Sequence, residues 1–120
     1  IGNVHGYTPN PPSLDFERLA QIAARVHVPL VLHGASGIPP ESIRQSIRLG
    51  IAKLNVNTEV RTAFVKAIAN WGLRAGPDPD LRKKGYDLLD LMQEAITAAE
   101  SVATQIILTC SFLETNDQNQ

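Results

Sequence analysis

Val28-Pro29-Leu30-Val31-Leu32-His33-Gly34-Ala35-Ser36-Gly37-Ile38-Pro39-Pro40 changes character twice within thirteen residues. Residues 28–32 form a short apolar, β-branched run, which is how a buried strand reads. Four small residues follow a histidine. Two prolines then open a helical pattern, where their missing N–H groups cost nothing in a first turn. The stretch reads as strand, loop and helix, in that order.

The same order recurs on both sides. Residues 1–4 and 51–56 are also short apolar runs, and each is followed by a helical pattern, giving βαβαβα overall. The first helix is expected over residues 13–26, with Ser13 or Asp15 as N-cap and Phe16, Leu19, Ala20, Ala23 and Val26 on one stripe. The second is expected over 40–49, stopped by Gly50. The third, over 58–71, has the cleanest amphipathic spacing: Val60, Ala63, Phe64, Ala67, Ile68 and Trp71. After Gly76-Pro77-Asp78-Pro79-Asp80 breaks the chain, a long helix is expected over 86–107, with Leu88, Met92, Ala95, Ala99, Val102 and Ile106 facing inward. Residues 1–108 then form the folded part. Residues 109–120 read as a polar tail, expected to be disordered because its end has no apolar face to bury. The chain begins in the middle of a pattern, as a piece of something longer would.

Composition narrows the partners. Of 120 residues 43% are hydrophobic and 19% charged, enough for one small core. Eleven Lys and Arg against twelve Asp and Glu are scattered along the chain, with no basic stripe to track a phosphate backbone, so nucleic acid is not an expected partner. No window approaches the roughly 18 apolar residues of a membrane helix, and the N-terminus has no signal-peptide pattern, so no membrane partner is expected either. The single cysteine, Cys110, fits a reducing compartment, and the cytoplasm is the expected location.

Strands that alternate with helices imply a parallel sheet, and ligand sites in such folds gather in the loops at the strand C-termini. Two of the three loops carry His-Gly at the equivalent place: Val4-His5-Gly6 and Leu32-His33-Gly34. Neighbouring parallel strands lie about 5 Å apart, so two imidazoles at their ends can reach one ion, and zinc suits imidazole nitrogen. A lone histidine at a strand end is more often structural; the pairing is what points to metal. His27 cannot join them. It precedes the strand that His33 follows, and the intervening strand spans roughly 15 Å at about 3.3 Å per residue. A third ligand has to come from elsewhere.

Two loops are also suited to anions. Gly34, Ala35, Ser36 and Gly37 are small enough for backbone N–H groups to approach a phosphate, and a helix N-terminus follows. Asn57 and Thr58 stand at the start of the third helix, where capping and anion binding compete for the same N–H groups. Each alone reads equally well as a turn or a cap. Side by side they match the phosphate site that barrel folds build after their last two strands.

The runs Ile1-Gly2-Asn3-Val4-His5-Gly6, Leu30 to Pro39 and Ile51-Ala52-Lys53-Leu54-Asn55-Val56-Asn57-Thr58-Glu59, in this order and at these intervals, resemble the class II fructose-bisphosphate aldolases, a family that includes tagatose-bisphosphate aldolases. The resemblance spans about residues 1–107. It implies a (β/α)8 TIM barrel, α/β in class, of which this chain holds the last three βα units and the terminal helices and is incomplete by itself. It implies that His5 and His33 bind Zn2+, the family's Lewis acid, with a monovalent cation (Na+ or K+) as a possible second ion. Gly6, Gly34, Ala35, Ser36, Asn55, Val56, Asn57 and Thr58 would contact dihydroxyacetone phosphate. Arg61 matches a position that in some members reaches the substrate of a neighbouring subunit, and the full-length protein is expected to be a homodimer or homotetramer. The family's general acid/base is an aspartate beside another zinc-binding histidine in the N-terminal half, and no residue here takes its place, so the isolated chain is expected to be inactive. Asn57 stands where many fructose members have aspartate and tagatose members often have alanine, which leaves the sugar open. Thr109 onward departs from the family's usual ending. Two rivals remain: a non-enzymatic phosphate-binding or subunit-docking module with structural histidines, and a metal-free barrel isomerase or synthase.

Overall fold

The computed structural model describes residues 1–6, 10 and 13–111, so the part of the expected tail from residue 112 lies outside the described residues. Its elements run α1 (Phe16–Ala23), β1 (Leu30–Leu32), α2 (Pro40–Arg48), β2 (Ile51–Leu54), α3 (Thr58–Ala75) and α4 (Leu88–Ser111). They fall into two units: residues 1–58 with the chain end from Ile106, and residues 59–105. No helix among the described residues is long and apolar enough to cross a membrane.

In the first unit, Asp15 is the residue that caps α1, its side chain accepting the N–H of Arg18 at 2.8 Å. The helix then places Leu19, only 2% exposed, onto the sheet side. Strand β1 starts at Leu30, not Val28. Pro29 has no N–H to give to a ladder, and β1 begins just after it. β1 pairs in parallel with β2, matching Leu30 to Ile51, Val31 to Lys53 and Leu32 to Leu54, with an irregularity after Leu30. α2 is the crossover between them. Leu14, Leu19, Leu32, Ala35, Ile38, Ile43 and Ile51 form the buried cluster, joined at its edge by Phe16, Ile47, Val56 and Cys110. Burial of each large aliphatic side chain contributes roughly 1.5–3 kcal/mol.

The expected first strand is not there. Gly2 has φ +100, outside the extended region. The Ile1 carbonyl accepts the N–H of Asp15 at 2.9 Å, not a strand partner. Residues 1–4 are therefore held beside β1 by individual hydrogen bonds, and the described sheet has two strands instead of three.

In the second unit, α3 shows its expected stripe: Val60, Ala63, Phe64, Ala67, Ile68 and Trp71 are all half-buried. The Trp71 indole N–H donates to the Gly85 carbonyl at 3.1 Å, and its ring lies 6.4 Å from that of Tyr86. Asp87 accepts the N–H of Asp90 at 2.8 Å and so sets the start of α4, two residues later than expected. On α4, Ala95 is fully buried and Ala99, Val102 and Ile106 are half-buried, but of the residues expected inward Met92 is 37% exposed and Leu88 70%. Leu88 is the helix's first residue and has no preceding turn to lie over. The helix continues through Ser111, past the expected end at 107, because Cys110 still has core to pack against.

Candidate functional site

Both strands of the first unit end at the same edge, and the loops that leave them form one cavity of about 500 Å³. Its walls are His5, Gly6, His33, Gly34, Ser36, Leu54, Asn55, Val56, Asn57 and Thr58. Nine of the expected site residues therefore meet there: His5, Gly6, His33, Gly34, Ser36, Asn55, Val56, Asn57 and Thr58. Ala35 is 1% exposed and sits in the core behind the loop, where it supports the cavity without lining it. Arg61 belongs to the second unit, exposed on α3. His27 is exposed in the segment before β1.

The two imidazoles face each other with ring centroids 5.8 Å apart and planes inclined by 55°. A tetrahedral zinc with Zn–N of about 2.0–2.1 Å places two imidazole centroids roughly 5–6 Å apart, so the spacing fits a shared ion. Among the described residues no third His, Cys, Asp or Glu stands with them to make a three-ligand group.

Local backbone explains why the rings meet. Gly34 has φ +62, and a Cβ there would lie 2.6 Å from the Val4 carbonyl oxygen. Only glycine lets the backbone of the second loop approach the first so closely. The Leu32 carbonyl accepts the Asn55 N–H at 3.0 Å, which ties the end of β1 to the third loop. Asn55 also meets the ring itself, its side-chain amide 3.2 Å from His33 Nδ1. The orientation of that amide selects the tautomer. In the structure the amide nitrogen faces the ring, so Nδ1 accepts and Nε2 carries the proton. With the amide turned over, Nδ1–H donates and the Nε2 lone pair is free for a metal.

Ser36 is 7% exposed and lines the cavity from the small-residue loop, while Ile38 N–H closes the turn behind it onto the Ala35 carbonyl at 3.3 Å. Thr58, the first residue of α3, also lines the cavity. The cavity thus brings two imidazoles together with the small-residue loop and the first residue of a helix.

Sequence reasoning passed over one contributor. The Asn3 carboxamide nitrogen donates to the His33 carbonyl and lies 3.4 Å from that of Gly34. The available signal was a polar residue inside an otherwise apolar run, one position before Val4-His5.

Residues 1–114 match the family described as fructose-bisphosphate aldolase class-II, so the likeness continues into Thr109-Cys110-Ser111 and beyond, past the limit of 107 read from the motifs. The chain is 43% identical over 111 residues to a fructose-bisphosphate aldolase of Mycoplasma pneumoniae, an alignment that covers 92% of this chain and 35% of that protein. Among solved structures it resembles the YdjI aldolase from Escherichia coli K12, with a TM-score of 0.66 and 36% identity, over 82% of this chain and 34% of that one. It also resembles the fructose-bisphosphate aldolase of Campylobacter jejuni, with a TM-score of 0.71 at 21% identity, over 96% of this chain and 39% of that one, a likeness of fold. The chain thus spans about a third of the length of the relatives it matches.

Proposed function

The chain belongs to the class-II fructose-bisphosphate aldolase family, and from that premise we propose that it supplies the phosphate site and two zinc ligands of a lyase acting on a ketose 1,6-bisphosphate. The reaction is reversible cleavage to dihydroxyacetone phosphate and an aldehyde phosphate. In this reading the parallel β1–β2 pair and its crossover helix belong to a (β/α)8 barrel, whose sites lie at the C-terminal ends of the strands. The observation that carries the proposal is the pairing of His5 and His33 at 5.8 Å on the wall of a cavity that also holds the Ser36 and Asn57-Thr58 loops.

His5 and His33 would hold the zinc, which when bound supplies a Lewis acid for the ketone oxygen of the substrate. Asn55 orients the His33 ring through Nδ1. Gly6, Gly34 and Ser36, together with Val56, Asn57 and Thr58, receive the phosphate and hold the triose so that its reacting carbon stays near the histidines. Ala35 keeps that loop seated on the core. Arg61 is assigned to the substrate of a neighbouring subunit in a homo-oligomer. The proton on the aldehyde oxygen is moved by a residue outside this chain, so residues 1–120 alone do not turn over.

Cleavage of fructose and tagatose 1,6-bisphosphates by the complete protein, with and without chelator, tests the proposal. Chelation abolishes activity and zinc restores it. His33→Ala lowers kcat/KM by more than about 100-fold, because even outer-shell partners of a zinc ligand are worth about 10–100-fold. Full activity in chelator would refute the zinc assignment.

A further inference from the structure

Asn3 does none of the chemistry just described, yet it is placed where that chemistry is set up. It is half-buried, and its carboxamide nitrogen crosses from the first loop to donate to the His33 carbonyl, with the Gly34 carbonyl 3.4 Å away. The next residue, Val4, brings its own carbonyl to within 2.6 Å of the place a Gly34 Cβ would occupy. The loop that carries His5 and the loop that carries His33 therefore touch at two adjacent points.

Such a clamp is needed because of what the backbone lacks. Residues 1–4 make no ladder with β1, so no row of strand hydrogen bonds fixes the height of His5 relative to His33. On the other side, β1 is tied to the third loop by the Leu32 carbonyl, which accepts the Asn55 N–H at 3.0 Å. The successive carbonyls of Leu32 and His33 are thus gripped by two different asparagines, Asn55 through its backbone and Asn3 through its side chain. The Asn3 amide replaces the missing ladder.

We propose that Asn3 is a positioning residue: by donating to the His33 carbonyl it sets the offset between the two loops, and with it the separation of the His5 and His33 rings. This rests on the reading of those rings as a metal pair. The demand is for a donor. An aspartate at position 3 has the same size but only acceptors, and would face two carbonyl oxygens with none of the attraction.

The test uses the 120-residue chain and its Asn3→Asp, Asn3→Ala, His33→Ala and Asn3→Asp/His33→Ala variants, followed by amide hydrogen exchange and by titration with Co2+. In Asn3→Asp the amides of residues 34–37 exchange at least about tenfold faster while those of α2 do not change, as expected when one loop opens locally. Cobalt affinity falls about 10–100-fold, and the fall vanishes when His33 is already alanine. Unchanged exchange at residues 34–37 in both Asn3 variants would overturn the clamp. An equal loss of affinity with and without His33 would show that Asn3 does not act through it. Loss of folding in both Asn3 variants would also overturn the proposal, since a positioning residue leaves the core intact. If wild type and His33→Ala take up cobalt alike, the metal reading fails, and exchange alone then judges the clamp.

Discussion

Gly34 has little room to change. A methyl group there would lie 2.6 Å from the Val4 carbonyl on a backbone already at φ +62. Gly34→Ala is expected to lower stability by about 2–4 kcal/mol in urea unfolding, from the left-handed backbone and the clash together. A change below about 0.5 kcal/mol would mean that the two loops do not meet as described. Gly37, with φ +80 but open space around it, is expected to lose less on the same substitution. Cys110 behaves as a core residue: burial pushes its thiol up, so it should react slowly with a thiol reagent in the native state and fast after unfolding.

Among the elements, α1 offers a test by pH. The Arg18 N–H bonded to the Asp15 carboxylate, with the Arg18 side chain beside it, holds Asp15 below its usual value. A group depressed in the folded state stabilises above its unfolded pKa and loses that contribution as pH falls through the folded value. Asp15→Asn keeps a cap without a charge, so it should flatten the acid side of the stability profile, whereas Asp15→Ala should also lower the melting temperature at neutral pH. Identical acid profiles for wild type and Asp15→Asn would contradict this. In the second unit, Trp71→Phe removes the donor to Gly85 and should cost about 1 kcal/mol in thermal unfolding followed by circular dichroism. The helices were legible in the sequence because their signals are local: Asp15 as one of two candidate caps, prolines at the start of α2, and the six-residue stripe of α3. Strands were less so. Pro29 trims β1, and the positive φ of Gly2 turns an apolar run into a strap, features that only show their effect once neighbours are placed. The His5–His33 pairing was legible as equivalent loop positions. The Asn3 clamp was not, since it joins residues thirty apart through a side chain and a carbonyl that no periodicity marks.

For the molecule as a whole, the first unit has more apolar surface than its own elements cover. Val4 is 53% exposed, Val31 41% and Ile22 37%, and these line a groove of about 300 Å³ with Ile1, Leu19 and Leu30. In the proposed barrel, earlier strands of the same sheet lie against this face. The isolated chain is therefore expected to bind a hydrophobic dye and to self-associate in sedimentation, as exposed apolar patches and open sheet edges do. A dye-silent monomer would argue against a missing neighbour. The account depends above all on one ion shared by two rings, and zinc K-edge absorption on the zinc-loaded chain reads that directly. It should show two imidazole ligands at about 2.0–2.1 Å, reduced to one in His5→Ala and in His33→Ala. A spectrum without imidazole, or one unchanged by both substitutions, would contradict it.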